Sequence, residues 1–182
     1  MKPTEELVHE HKVILHVLKT AAVEAQRIRD KKTVRTGLIE MMLDFFRNFA
    51  DKCHHAKEEK NLFPMLEKRG MAHDKGPIAM MLAEHNEGRR RLANITGLLP
   101  AAIQNDGDAI IAIAENLSAY ALLLESHIGK ENNVLFPMAE KLLTGTDFDE
   151  LEKAFADIEK IETGEGVHEK YHQLAHVISD YK

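Results

Sequence analysis

His54 and Glu58 stand four residues apart, and so do His127 and Glu131. Each pair is followed at the same interval by an identical tetrapeptide, Leu62-Phe63-Pro64-Met65 and Leu135-Phe136-Pro137-Met138. On a helix, residues i and i+4 share a face one turn apart. Each copy therefore aims an imidazole and a carboxylate the same way. Neutral imidazole nitrogen and carboxylate oxygen are donors that first-row divalent metals accept. The chemistry this pattern offers is metal coordination.

The repeat extends upstream. Glu10-His11 precedes the first copy and Glu84-His85 the second, with 43 residues from His11 to His54 and 42 from His85 to His127. The chain reads as two related halves, each a helix with one histidine followed by a helix with His and Glu. Four core histidines satisfied by two core glutamates would be the bland alternative. Buried charge of that kind costs several kcal/mol per ion unless it is paired or metal-bound. Six inward groups repeated with internal symmetry favour metal, and the symmetry predicts two ions, each drawing mainly on one half.

Composition sets the frame. The 182 residues suffice for one domain with a real core, and abundant Ala, Leu, Met, Glu and Lys favour helix. A formal charge of -6 argues against a nucleic-acid partner, since phosphate binding wants a basic face. Arg89, Arg90 and Arg91 are expected on a solvated helix face. The single cysteine, Cys53, rules out an intramolecular disulfide and a thiolate-rich cluster, and is expected to be buried. The first residues lack the apolar core of a signal peptide, and no run approaches the ~18 apolar residues of a membrane span. A cytoplasmic protein without a membrane partner is expected.

The elements that must position the donors are helices. The first is expected to begin near Thr4, with Leu7, His11, Ile14, Leu18, Ala22 and Ala25 on its inner stripe. The second runs from about Thr36 to about Glu59, and Pro64 should bend or end it. The third starts near Pro77, carries Met81, His85, Leu92, Ile95 and Leu99 inward, and closes at Pro100 and the turn from Asn105 to Asp108. The fourth places Ile113, Leu117, Tyr120, Leu124, His127, Glu131 and Val134 on one stripe. Tyr120 either borders the pocket or is ordinary packing. Short links predict an all-α, up-down-up-down four-helix bundle over residues 1–143. Residues 144–182 read as a helical extension packed on the same domain, with Phe148, Leu151, Phe155 and Ile158 inward. Its last helix carries His168, His172 and His176. His9 and His16 are expected at the surface or just behind the inward ligands, and His73 at the surface.

With these motifs in place, the sequence resembles the hemerythrin-like (HHE cation-binding) family, four-helix bundles that hold a non-haem di-iron centre. The match covers about residues 4–143. The resemblance implies that Glu58 and Glu131 bridge two non-haem irons, joined also by an oxo or hydroxo group. It makes His11, His54, His85 and His127 terminal ligands. The family pattern selects His54 with Glu58 over His55 with Glu59, and the repeat agrees, with Ile128 and Asn132 at the matching positions. Oxygen-carrying hemerythrin uses five histidines, two of them as His-x3-His on the third helix. Here Met81 stands four before His85, so one nitrogen ligand is unaccounted for. His168 and His172 are candidates to supply it, an exposed histidine stripe being the alternative. Zinc or manganese would accept the same donors.

The implied function is to bind, sense or store a small diatomic or peroxide ligand such as oxygen or nitric oxide, or iron itself. The alternative is a di-iron enzyme: an oxidase, a peroxide or nitric-oxide scavenger, or an iron donor for cluster repair. A binding protein is expected over an enzyme, and the sequence names no protein partner.

Overall fold

The computed structural model describes residues 1–164 and 166–181, the side chains of 161–163 excepted, and within them the chain folds into six helices without a strand. These are α1 (Pro3–Lys31), α2 (36–68), α3 (Gly76–Ile103), α4 (Gly107–Leu142), α5 (145–163) and α6 (Val167–Ser179). Helix α1 starts one residue before the expected Thr4. Pro3 takes an early position where its missing N–H costs nothing, and Glu5 and Glu6 face the positive helix end. Thr4 is instead buried, its hydroxyl donating to Glu140. Asp106 caps α4 by accepting from the N–H groups of Asp108 and Ala109, both at 3.0 Å. Helix α5 opens with a capping box between Thr144 and Asp147, which Arg69 of α2 also holds.

Neither repeated proline ends its helix. Helix α2 runs past Pro64 to Lys68, α3 past Pro100 to Ile103, and α4 past Pro137 to Leu142. In α2 and α4 the chain widens just ahead of the proline. Phe63 N–H bonds Glu58 C=O and Phe136 N–H bonds Glu131 C=O, five residues back rather than four. The wider π-helical turn relieves the clash between the proline ring and the carbonyl four residues back. It also advances the helix face by one residue. Leu135 is consequently buried, while Val134, expected on the inner stripe, is exposed. On α1, Ala21 is buried and Ala22 faces solvent, a one-residue error in the expected stripe.

Two apolar clusters sandwich one polar layer. One holds Ile14, Ala50, Leu92, Leu124 and Ile128 among others, and the other holds Leu7, Leu62, Met81 and Leu135. On each of α1 to α4 the chain passes from one cluster to the other through His11, His54 with Glu58, His85, or His127 with Glu131. Helices α5 and α6 join the same clusters: Leu151 and Phe155 enter one, Tyr171, Ala175 and Ile178 the other. Contrary to expectation, α4 contains an 18-residue stretch with the length and mean hydropathy, 1.4, of a membrane span. In this fold its apolar stripe of Ile113, Leu117 and Leu124 lies in the bundle core.

Candidate metal centre

Six side chains from four helices meet in the polar layer. His11, His54, Glu58, His85, His127 and Glu131 are each at most 1% exposed. The histidines converge in two pairs, His11 Nε2 to His54 Nε2 at 2.9 Å and His85 Nε2 to His127 Nε2 at 3.0 Å. Each pair comes from one half of the repeat. The carboxylates are shared between them. Glu58 turns Oε1 toward His54 (3.9 Å) and Oε2 toward His85 (3.5 Å). Glu131 turns Oε2 toward His11 and Oε1 toward His127, both at 3.2 Å.

The other ring nitrogens are committed outward. His54 Nδ1 donates to Glu10 (2.8 Å), His127 Nδ1 to Glu84 (2.9 Å), His85 Nδ1 to Glu59 (2.6 Å) and His11 Nδ1 to the Asn132 carbonyl oxygen (2.8 Å). Such partners fix the tautomer and leave Nε2 as the inward donor. They obey the repeat. Glu10 and Glu84 orient the histidine of their own half, whereas Glu59 and Asn132, each next to a central glutamate, orient the histidine of the other half. Phe63 and Phe136 cross over in the same way, stacking on His85 (6.0 Å, 19°) and His11 (5.5 Å, 8°). The repeated Leu-Phe-Pro thus supplies each half with a ring that covers the other half's imidazole.

Two lysines and an arginine hold these acceptors in turn. Lys57 and Lys130, each preceding a central glutamate, donate to Glu10 (2.6 Å) and to Glu84. Lys57 also binds Glu6 and Glu159, both at 2.6 Å. Arg89, expected on a solvated face, bridges Asp51 (2.9 Å) and Glu59 (2.7 Å), while Arg90 and Arg91 pair with Glu87. Of the three, only Arg89 departs from the solvated-face expectation, because its partners lie 38 and 30 residues upstream.

These residues fit a cation. None of the four oxygens of Glu58 and Glu131 has a hydrogen-bond partner among the described residues, although all are buried. Native proteins rarely leave such groups unsatisfied. Facing Nε2 atoms 2.9–3.0 Å apart must share a proton or a cation between their lone pairs. Without a cation, burial and the neighbouring Glu131 charge push the Glu58 carboxyl well up. For Glu131 burial acts the same way, but His127 and His11 outweigh it and hold its carboxyl well down. Burial and His11 push His54 down to about 4. Burial would lower His127 as well, yet Glu131 and Glu84 raise it to about 9. Four buried ionisable groups perturbed in opposite directions mark a candidate functional site.

A seventh side chain joins them. His55, buried and bonded through Nδ1 to Asp51 (3.3 Å), stacks on His85 at 3.8 Å and groups with Glu58, His85 and His127. A second group is His11, His54, Glu58 and Glu131, and a third is Glu10, Glu159 and His168. His55 was set aside because the repeat offers Ile128 in its place. The signal that could have retrieved it is Asp51, one turn earlier on the same face. His168 and His172 are not brought to the central carboxylates. They lie on α6 behind Glu10 and Phe49, with His168 Nε2 3.4 Å from Glu10. His9, His16, His73 and His176 are exposed. Tyr120 is packing: its ring lies 4.7 Å from Phe46, and a Cβ on Gly88 would touch it at 3.4 Å. Cys53 is buried and its thiol is pushed up to about 12, mainly by burial.

The chain is 25% identical over 161 residues to an uncharacterized protein of Mycobacterium tuberculosis, covering 88% of this chain and 62% of that protein. It is 32% identical over 120 residues to the iron-sulfur cluster repair protein YtfE of Edwardsiella ictaluri, covering 63% and 54%. With YtfE of Yersinia pseudotuberculosis the identity is 30% over 132 residues, covering 71% and 59%. The chain thus spans less than two thirds of the length of these curated relatives. No solved structure matches it. Residues 2–139, which include all seven converging side chains, match the hemerythrin HHE cation binding domain, and the chain belongs to that family.

Proposed function

We propose that the polar layer holds two non-haem iron ions and that the protein binds, senses or stores a small ligand such as oxygen or nitric oxide. His11 and His54 would hold one ion and His85, His127 and His55 the other, with Glu58 and Glu131 shared. On the same reading α1 to α4 run up-down-up-down around the centre. The observation that carries it is the sharing: each central carboxylate turns one unsatisfied oxygen toward each histidine pair. Iron, when bound, supplies a redox-active Lewis acid for a diatomic or peroxide ligand. The protein's own contribution is positional. Glu10, Glu84, Glu59 and Asn132 hold the imidazoles with Nε2 inward, Phe63 and Phe136 cover them, and the two apolar clusters exclude water. Excluding water would suit a centre that holds a reactive ligand.

A second reading, iron donation for cluster repair, is supported by the names of the YtfE relatives. Metal analysis with an optical spectrum before and after air decides between them. A reversible change on exposure to oxygen supports ligand binding; iron leaving the protein for an apo-cluster acceptor supports donation. Unaltered metal content in both Glu58→Gln and Glu131→Gln would refute the centre itself.

A further inference from the structure

Six of the eleven histidines take no part in the polar layer, and five of them gather along one seam. His9 and His16 lie on α1, two turns apart, and His168, His172 and His176 lie on α6 at successive four-residue intervals. The helices pack so that His9 stacks on His172 (centroids 6.0 Å, 23°) and His16 meets His176 edge-on at 6.0 Å. His168 closes the inner end, 4.7 Å from His172. Four of these rings, with Lys12, line a groove of about 310 Å³ that opens to solvent. The Nε2 of His172, one of the lining residues, is buried and has no hydrogen-bond partner among the described residues.

A shielded imidazole nitrogen with nothing to bond is an unmet donor or acceptor. Imidazoles four apart on one helix, faced by imidazoles from another, are the donor set that borderline divalent metals take. The polar layer shows the pairing such rings adopt. His11 and His54 stand 4.5 Å apart and His85 and His127 4.7 Å apart between centroids. The groove pairs stand wider, at 6.0 Å, and His9, His16 and His176 are exposed side chains free to change rotamer. Lys12 is the one cation lining the groove, and its flexible stem lets the ammonium turn to solvent.

We propose that the α1–α6 seam is a second, solvent-facing site for a divalent transition-metal cation, built on His9 and His172 with His16 and His176 beside them. It is separate from the polar layer and does not depend on what that layer binds.

Zn2+ titrated calorimetrically into iron-loaded protein tests this, with iron content measured before and after. Wild-type protein should take up at least one further equivalent. The His9→Gln/His172→Gln double variant should bind that equivalent at least tenfold more weakly, since losing a ligand should cost no less than the 10–100-fold typical of losing a ligand's outer partner. A Glu58→Gln/Glu131→Gln variant should keep the groove equivalent, so failure of the buried centre is read separately. No further Zn2+ uptake by the wild type, or uptake of equal strength in the His9/His172 variant with iron content unchanged, would overturn the proposal. Circular dichroism of the double variant checks that the helices are intact.

Discussion

Lys57 Nζ lies 2.6 Å from Glu10 Oε1, and both side chains are essentially excluded from water. Their counterparts in the second half, Lys130 and Glu84, are paired in the same way but are 35% and 17% exposed. The difference comes from the C-terminal helices. Glu159 of α5 and His168 of α6 close over the first pair, the former by binding Lys57 and the latter by approaching Glu10. Equivalent triads of Lys, Glu and His thus sit in unequal surroundings, and they should respond unequally to substitution.

Lys57→Met should destabilise the protein by about 3–5 kcal/mol, because it leaves Glu10 buried without its cation. Lys130→Met should cost no more than about 1 kcal/mol, as for a pair that water can screen. Urea unfolding of both variants measures the difference, and equal losses would contradict the unequal burial.

The central carboxylates should change sign with metal. In chelator-treated protein, Glu58→Met replaces a buried, unsatisfied acid by an apolar side chain of similar size. It should be neutral or stabilising by about 1–4 kcal/mol. In metal-loaded protein the same change should lower the melting temperature, because the folding free energy drawn from the metal is lost. Melting curves with and without chelator give both signs in one experiment.

His55 should matter where the α6 histidines do not. His55→Ala is expected to reduce metal content toward one ion per chain. His168→Ala and His172→Ala should leave the buried ions in place, since neither ring reaches Glu58 or Glu131. Metal analysis after gel filtration is sufficient. Loss of the buried metal in the α6 variants and not in His55→Ala would reverse the assignment.

Metal-free protein should be most stable near the ordinary histidine value of 6.5. Burial and His11 hold His54 at about 4 in the folded state. The unfolded chain therefore binds more protons between 4 and 6.5, and stability is lost as pH falls through that window. Glu10 adds to the acid loss. Burial raises its carboxyl, but His168, His54 and Lys57 outweigh burial and hold it well below 4.5. Its stabilisation is present above 4.5 and lost as pH falls further. His127 acts on the alkaline side. Burial lowers it, yet Glu131 and Glu84 raise it to about 9, so its contribution is full below 6.5 and lost as pH rises through 9. Denaturant midpoints across pH 3–10 in chelator should trace this dome, and His127→Gln should flatten its alkaline limb.

The internal repeat was enough to place six residues on inward faces of four helices, because helical periodicity converts spacing directly into direction. It also marked Phe63 and Phe136, Lys57 and Lys130, and Glu10 and Glu84 as equivalent pairs, without revealing their tasks. Those tasks are contacts between helices: within a half, Lys57 holds Glu10; across halves, Phe63 covers His85, Asn132 orients His11 and Arg89 bridges Asp51 and Glu59. Such pairings depend on which helix faces which, and separations of 22 to 121 residues carry no local signal. Pro64 and Pro137 leave their helices unended for a related reason. Their cost to a helix is local, but the π-helical turns that absorb it are held in place by packing on both sides. His55 and the α6 histidines were decided by tertiary structure alone. One imidazole had no counterpart in the repeat, and the others had the right spacing on a helix that packs behind Glu10 instead of reaching the carboxylates.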